Sequence, residues 1–257
     1  MIPYLIPPLS GLSILVTRPA LQSASLNNRL IALGAQVTLL PVIEIISREC
    51  QLPGQRYDLL IFISSNAVHH GQAILAAQPQ ARIAAVGTST AQALISSGHQ
   101  VDVTPELAAS SEALLNHPLL QTPPARVLIV RGTGGRELLR DTLIARGSQV
   151  DVLEVYQRAS VQPETAQLNL IQQQMNDGLI DIVTLTSVEI VHALHGLMGN
   201  CLVAGHAGML AGSSRIAQAA RDLGWLGECV LADSPEQSSL ISSLTRWHTR
   251  ARSELIR

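Results

Sequence analysis

The chain contains no lysine; all 17 of its basic residues are arginine. That absence excludes Schiff-base and pyridoxal-phosphate chemistry, the P-loop lysine and the protein-kinase lysine together. Charge of either sign is sparse, with 17 basic against 19 acidic residues and no arginine-rich run. A nucleic-acid backbone or an anionic membrane therefore has no electrostatic footprint to meet. Cysteine is limited to Cys50, Cys201 and Cys229, far apart and in no CxxC. An odd, scattered set suits a reducing compartment, and the cytoplasm is the expectation. No stretch runs about 18 apolar residues without charge or proline, and Met1 to Pro8 has no basic n-region, so neither a membrane span nor a signal peptide is expected. Residues 1–11 read as a frayed leader. Eight histidines are present, but only His192 and His195 stand one helical turn apart, and no carboxylate or cysteine completes a zinc set beside them. No metal is expected.

What the chain has in quantity is apolar surface: 47% of its 257 residues are hydrophobic, enough for real cores. Its length suits one large α/β unit or, as the better expectation, two domains. An internal repeat organises it. At an offset of 113, Ile14 to Ile45 lies without a gap over Val127 to Arg158, with Arg18 on Arg131, Gly34 on Gly147 and Val37 on Val150. Each copy reads as an apolar strand, a polar turn, an amphipathic helix stopped by glycine, and a second strand. A helical crossover of this length makes the two strands parallel.

A second repeat lies behind the first. Asp58 to His69 aligns with Asp181 to His192, and the turns opening at Gly87 and Gly212 each precede a helix. Strands alternating with helices in this way indicate open parallel sheets with helices on both faces. The repeat order, X1-Y1-X2-Y2, allows two partitions. A tandem cut falls near His117 to Pro124, where Pro118, Pro123 and Pro124 punctuate the chain. A swapped arrangement joins X1 to Y2 and Y1 to X2, with crossings at Pro41 to Ser47 and Glu154 to Ser160, favoured by the extended, β-branched character of Val42 to Ile46 and Val155 to Arg158.

In such sheets ligands gather at the carboxyl ends of strands, where helix N-termini offer free N–H groups to anions. Thr17-Arg18-Pro19 and the turn from Arg131 to Arg136 occupy that position in the X repeats. The second is glycine-rich but lacks the GxGxxG spacing, because Glu137 stands where the last glycine belongs. Ser64, Ser65, Thr186 and Ser187 follow the Y strands; Thr88 to Thr90 and Ser213 to Arg215 open the next helices. Singly, each hydroxyl is an ordinary helix cap; their recurrence at four matched strand ends favours a ligand-facing role. No GxSxG surrounds these serines, so a serine hydrolase is not expected. Tyr156 stands apart in a chain with only 2% aromatic residues. It reads either as a packing residue or as a phenol able to donate to a leaving oxygen.

Seven motifs in order then resemble the uroporphyrinogen-III synthase family of tetrapyrrole biosynthesis: ILVTRP at Ile14 to Pro19, LPVIE at Leu40 to Glu44, IFISSNAV at Ile61 to Val68, AVGTSTAQAL at Ala85 to Leu94, LIVRGTGGRELL at Leu128 to Leu139, VYQR at Val155 to Arg158, and RIAQAARDLGW at Arg215 to Trp225. The likeness covers nearly the whole chain. Two departures, Ile63 where the family pattern has a threonine and Arg215 where it has a Gly-x-x-Thr turn, leave no hydroxyl role at those positions.

The resemblance implies two flavodoxin-like parallel-sheet domains in swapped chain order, with the active site in the cleft between them. The expected boundaries are 11–41 with 160–246 for one domain, 47–153 for the other, 42–46 and 154–159 as a two-stranded linker, and 247–257 as a solvated tail. It implies cyclisation of the linear tetrapyrrole hydroxymethylbilane to uroporphyrinogen III, with loss of water, inversion of ring D and no cofactor. Tyr156 matches the tyrosine of the linker motif and takes the acid or hydrogen-bond-donor role. The substrate's eight carboxylates are expected on Thr17, Arg18 and Pro19, on Ser64, Ser65 and Asn66, and on Gly87, Thr88 and Thr90. Arg131, Gly132 and Arg136, Thr186 and Ser187, and Ser213 and Ser214 complete the expected donors. No partner is required beyond the substrate and a transient contact with the preceding pathway enzyme, and a monomer suffices. The rival readings are a non-catalytic two-domain binder of an anionic small molecule and a phosphosugar or nucleotide enzyme using the Gly132 to Gly135 turn.

Overall fold

The computed structural model describes residues 6–105, 110–199, 201–204 and 206–255. In chain order the first elements are β1 (Ser13–Val16), α1 (Ala20–Ala32), β2 (Gln36–Leu39), β3 (Ile43–Ser47), β4 (Leu59–Phe62), α2 (Ser65–His70) and α3 (Gln72–Ala77). There follow β5 (Arg82–Ala85), α4 (Thr88–Ser96), α5 (Ser111–Leu115), α6 (Pro118–Gln121), β6 (Arg126–Gly132), α7 (Leu138–Ala145) and β7 (Gln149–Ser160). The last are α8 (Thr165–Asn176), β8 (Ile182–Leu185), α9 (Val188–Met198), α10 (Cys201–Ala204), β9 (Gly208–Ala211), α11 (Ser214–Asp222), β10 (Cys229–Leu231) and α12 (Gln237–Leu255).

The chain forms two units, 1–44 with 159–257 and 45–158. Unit 1 holds a sheet ordered β10-β9-β8-β1-β2; unit 2 holds one ordered β3-β7-β6-β4-β5. All the pairs of unit 1 are parallel, as are β4–β5, β4–β6 and β6–β7 in unit 2. Counted from the X repeat, each sheet follows the flavodoxin order 2-1-3-4-5, and in unit 2 the parallel bridge Ala84–Val103 takes the fifth place. Unit 2 enters that order in the middle, at Y1, because its X repeat comes later in the chain.

Register follows the repeats. Ile14 pairs with Val37 and Ile182, and its counterpart Val127 pairs with Val150 and Leu59. Both faces of each sheet are covered, which explains why the central strands read as continuous apolar runs. In unit 1 Leu15, Val183 and Met209 enter one core and Ile14, Val16 and Leu210 the other. In unit 2 Leu60, Phe62, Leu128 and Val130 face one side, and Leu59, Ile61, Val127 and Ile129 the opposite one. Helices α1 and α7 stop at matched glycines, Gly34 and Gly147, whose φ values of 94° and 96° lie in the left-handed region that a Cβ disfavours.

Three sequence expectations change. Of the leader 1–11, residues 1–5 lie outside the described residues, but Leu9 is fully buried and its N–H donates to the Leu33 carbonyl at 2.9 Å. At Leu9 the leader is packed against the Leu33–Gly34 end of α1, with Pro7 and Ser10 close to Gly34. The expected tail from 247 is helical to Leu255, the continuation of α12. Leu240, Leu244 and the half-buried Trp247 share one face of α12 and join the unit 1 core. Trp247 Nε1 also donates to Glu228 at 2.7 Å. The segments expected as a separate linker, 42–46 and 154–159, fall within β3 and β7, which are neighbours in the unit 2 sheet, and contacts divide them at 44/45 and 158/159.

Leu244→Ala should destabilise unit 1 by about 2–5 kcal/mol, the usual cost of a cavity at a closed site. Denaturant titration followed by tryptophan fluorescence would read this, since Trp225 and Trp247 both lie in unit 1. A loss below about 0.5 kcal/mol, typical of exposed positions, would remove α12 from the core.

Candidate functional site

Four matched strand ends lead into helices, and their backbones are nearly superimposable in dihedral space. Ser64, Ser187, Ser213 and Gly87 are the N-cap residues of α2, α9, α11 and α4, all extended, with φ from −153° to −170°. The serine oxygens accept from the N–H groups of Ala67 (3.0 Å), Ile190 (3.2 Å) and Ile216 (3.4 Å). The hydroxyls expected to face a ligand therefore first satisfy their own helices. Helix caps and strand pairing also match Gly87 with Ser213 and the buried Thr90 with Ile216. Arg215, set against Thr90 in the sequence reading, is the counterpart of exposed Ser89.

The remaining candidates divide by accessibility. Thr17 is fully buried and its hydroxyl donates to the Thr184 carbonyl, tying β1 to β8. Gly87 and Pro19 are buried as well. Thr88, Ser214 and Ser65 are exposed, the last donating to the Ser89 carbonyl at 3.1 Å. Asn66 and Thr186 are half-buried beside them. Arg136 is exposed and paired with Glu112 at 2.7 Å.

Tyr156, on β7, is only 2% exposed. Its hydroxyl lies 3.1 Å from Ser64 Oγ. Its ring is packed on three sides: the His70 ring at 5.7 Å, the Arg158 guanidinium 5.9 Å from the ring centre, and the backbone of Gly132. A Cβ at Gly132 would stand 2.5 Å from the ring, so only glycine permits the approach. The bulge between Arg131 and Gly132 brings Gly132 opposite Tyr156. His70 completes the cluster, its Nδ1 2.7 Å from Ser47 Oγ. Burial, with His69 nearby, holds the His70 pKa below its ordinary value, which favours the neutral imidazole. The phenol of Tyr57 contrasts with Tyr156. It donates to Asp151 at 2.9 Å, and burial together with that bond pushes its pKa up to about 12.

Sequence reasoning missed the ion network at the glycine-rich turn. Arg131 is buried, with Nη2 2.9 Å from Glu137 and 3.6 Å from Glu154. Glu154 also accepts from Arg48 at 2.8 Å and from the Gly134 N–H at 3.2 Å. Arg18, the counterpart of Arg131, has a buried Nε without a hydrogen-bond partner, and no carboxylate among the described residues pairs with it. Burial lowers its pKa.

Fold and site together define a duplicated two-unit α/β protein of flavodoxin-like type, with polar donors concentrated at its strand-to-helix turns. Residues 24–242 match the family model described as uroporphyrinogen-III synthase HemD. The chain is 35% identical to the uroporphyrinogen-III synthase of Escherichia coli K12 over 253 residues, covering 91% of this chain and all of that protein. It is 34% identical to the Salmonella typhimurium enzyme over 256 residues, with the same coverage. Among solved structures, the Helicobacter pylori synthetase resembles it with a TM-score of 0.63 at 15% identity, over 92% of this chain and 99% of that one. A Thermus thermophilus mutant synthase gives 0.59 at 19%, over 95% and 100%; at such identities the likeness concerns fold. The chain belongs to the uroporphyrinogen-III synthase family.

Gly132→Ala should cost about 1–3 kcal/mol by overpacking and force Tyr156 out of its slot. Nitration by tetranitromethane, mapped by mass spectrometry, would check it: Tyr156 should resist in the wild type and react in the variant. Equal protection in both would refute the close packing.

Proposed function

We infer that this chain catalyses closure of hydroxymethylbilane to uroporphyrinogen III, and the observation that carries this is its 35% identity to the Escherichia coli uroporphyrinogen-III synthase along 91% of its length. In that reaction the terminal hydroxyl leaves as water, giving an azafulvene. The substituted carbon of ring D attacks it, and the resulting spiro intermediate fragments and recloses with ring D inverted. The substrate also closes unaided to the other isomer, so fixing geometry is the main task, worth several orders of magnitude in effective molarity.

Tyr156 takes the donor role in this proposal. Ser64 Oγ already accepts the Ala67 N–H, which leaves its own proton free for the phenol oxygen 3.1 Å away. The phenol O–H is then released to donate to the departing hydroxyl. The exposed donors at the strand ends, Thr88, Ser214 and Ser65, and the free helix N–H groups beside them supply weak, distributed contacts to the substrate's carboxylates. Glu137 and Glu154 compete with substrate for Arg131, and Glu112 for Arg136.

The location we propose is the cytoplasm, where Cys50, Cys201 and Cys229, all unpaired, would stay reduced. No helix among the described residues is long and apolar enough to cross a membrane. A hand-over contact with the enzyme that makes hydroxymethylbilane would limit its spontaneous closure.

Freshly prepared hydroxymethylbilane incubated with the protein, then oxidised and resolved by chromatography, should give the type III porphyrin. The spontaneous product pattern would overturn the assignment and favour a binding protein. Tyr156→Phe should slow type III formation at least tenfold, a floor below the general-acid contributions of about 10²–10⁴, with the denaturation midpoint nearly unchanged. Full turnover would remove Tyr156 from the chemistry.

A further inference from the structure

The duplication allows each unit to be read against the other. Arg18 and Arg131 stand at the same place, because the strands that carry them share their register: Ile14 with Val37 and Ile182, Val127 with Val150 and Leu59. Their electrostatic settings differ. In unit 2, Glu137 and Glu154 approach the Arg131 guanidinium at 2.9 and 3.6 Å, and Glu154 occupies the turn further by accepting from Gly134 and Arg48. The unit 2 turn thus contains a carboxylate supplied by the chain itself.

At the matching positions of unit 1, 113 residues earlier, stand Ala24 and Pro41. Neither carries charge. Arg18, half-buried, keeps the guanidinium without its counter-ion: among the described residues no carboxylate pairs with it, and its Nε, like that of Arg131, is shielded from solvent and unbonded. Burial depresses its pKa. Holding an uncompensated cation away from water is costly, and the same low-dielectric setting strengthens its attraction for any anion that arrives.

We propose that Arg18 is the carboxylate anchor of unit 1, its missing counter-charge delivered by an acetate or propionate group of the substrate, whereas Arg131 is closed to substrate by Glu137 and Glu154. This rests on the function inferred above. Glu154 serves as an internal model of the ligand group: a carboxylate held by a guanidinium and a turn N–H. The guanidinium fork of Arg18 can receive such a group bidentately.

The test uses the full chain. Arg18→Met removes the charge and keeps an apolar stem. It should raise the KM for hydroxymethylbilane about 10- to 100-fold, the range for a charge-assisted bidentate contact, with a much smaller change in kcat. Without ligand its melting temperature should equal or exceed that of the wild type, whereas Arg131→Met, which strands two carboxylates, should melt lower. Calorimetric titration supplies a second reading: the wild type should bind uroporphyrin III far better than its uncharged octamethyl ester, and Arg18→Met should narrow that gap. Arg18→Lys, which keeps charge but loses the fork, should give an intermediate KM and carries the same test if the methionine variant does not fold. With an active wild type, an unchanged KM or a melting loss matching that of Arg131→Met would overturn the role of Arg18. A wild type unable to direct the isomer would instead overturn the function itself.

Discussion

Two buried parallel strand pairs, β1 with β8 and β4 with β6, set the terms for everything else. Their central residues are covered on both faces and are apolar except for the hydrogen-bonded Thr184, so chemistry is displaced to the strand ends. There the chain turns directly into helices whose first N–H groups need acceptors. Because both pairs keep one register, Ile14 with Ile182 and Leu59 with Val127, each unit presents its turns at the same height above its sheet. Caps, ligand donors and functional side chains compete for those few positions.

That competition explains how much of the site could be read from sequence. Strand runs, glycine stops and the offset of the X repeats were legible because each is a local, periodic signal. The match between Gly87 and Gly212 misled by one residue, because the cap position is held by glycine in one repeat and by Ser213 in the other. The C-terminal helix was missed, although Leu240, Leu244 and Trp247 carry helical spacing. No local pattern could announce the Arg48–Glu154 pair, whose members are 106 residues apart and meet only when β3 and β7 become neighbours. Gly132 was legible as a turn residue, but not as the floor beneath Tyr156, since that requires the bulge in β6.

Ser64 shows how one side chain can meet two demands. Its oxygen closes the first turn of α2 and also faces the Tyr156 hydroxyl. A cap is worth about 1 kcal/mol to the helix, so the position is occupied for folding reasons whatever the chemistry. Once there, the cap geometry fixes where the remaining hydroxyl proton can go. Ser187 has the same cap in unit 1, but the residue matching Tyr156 is Ile43. The cap therefore does not create the phenol site; it makes one available wherever the next strand supplies a phenol.

The departures from internal symmetry point the same way. A linear tetrapyrrole has one reacting end, and a protein with two identical halves could not tell that end from the other by its own contacts. Here the phenol and its glycine floor belong to unit 2 alone, where Arg131 is neutralised internally. Of the two matched arginines, the one without a carboxylate partner among the described residues is Arg18 of unit 1, where Ala24 and Pro41 replace the acids. If Arg18 is the anchor proposed above, the internally neutralised Arg131 leaves no strong carboxylate site beside the phenol, and the open one lies in the other repeat. Specificity of this kind depends on differences between sites, and duplication followed by the loss of two acidic residues in one copy, or their gain in the other, is enough to produce it.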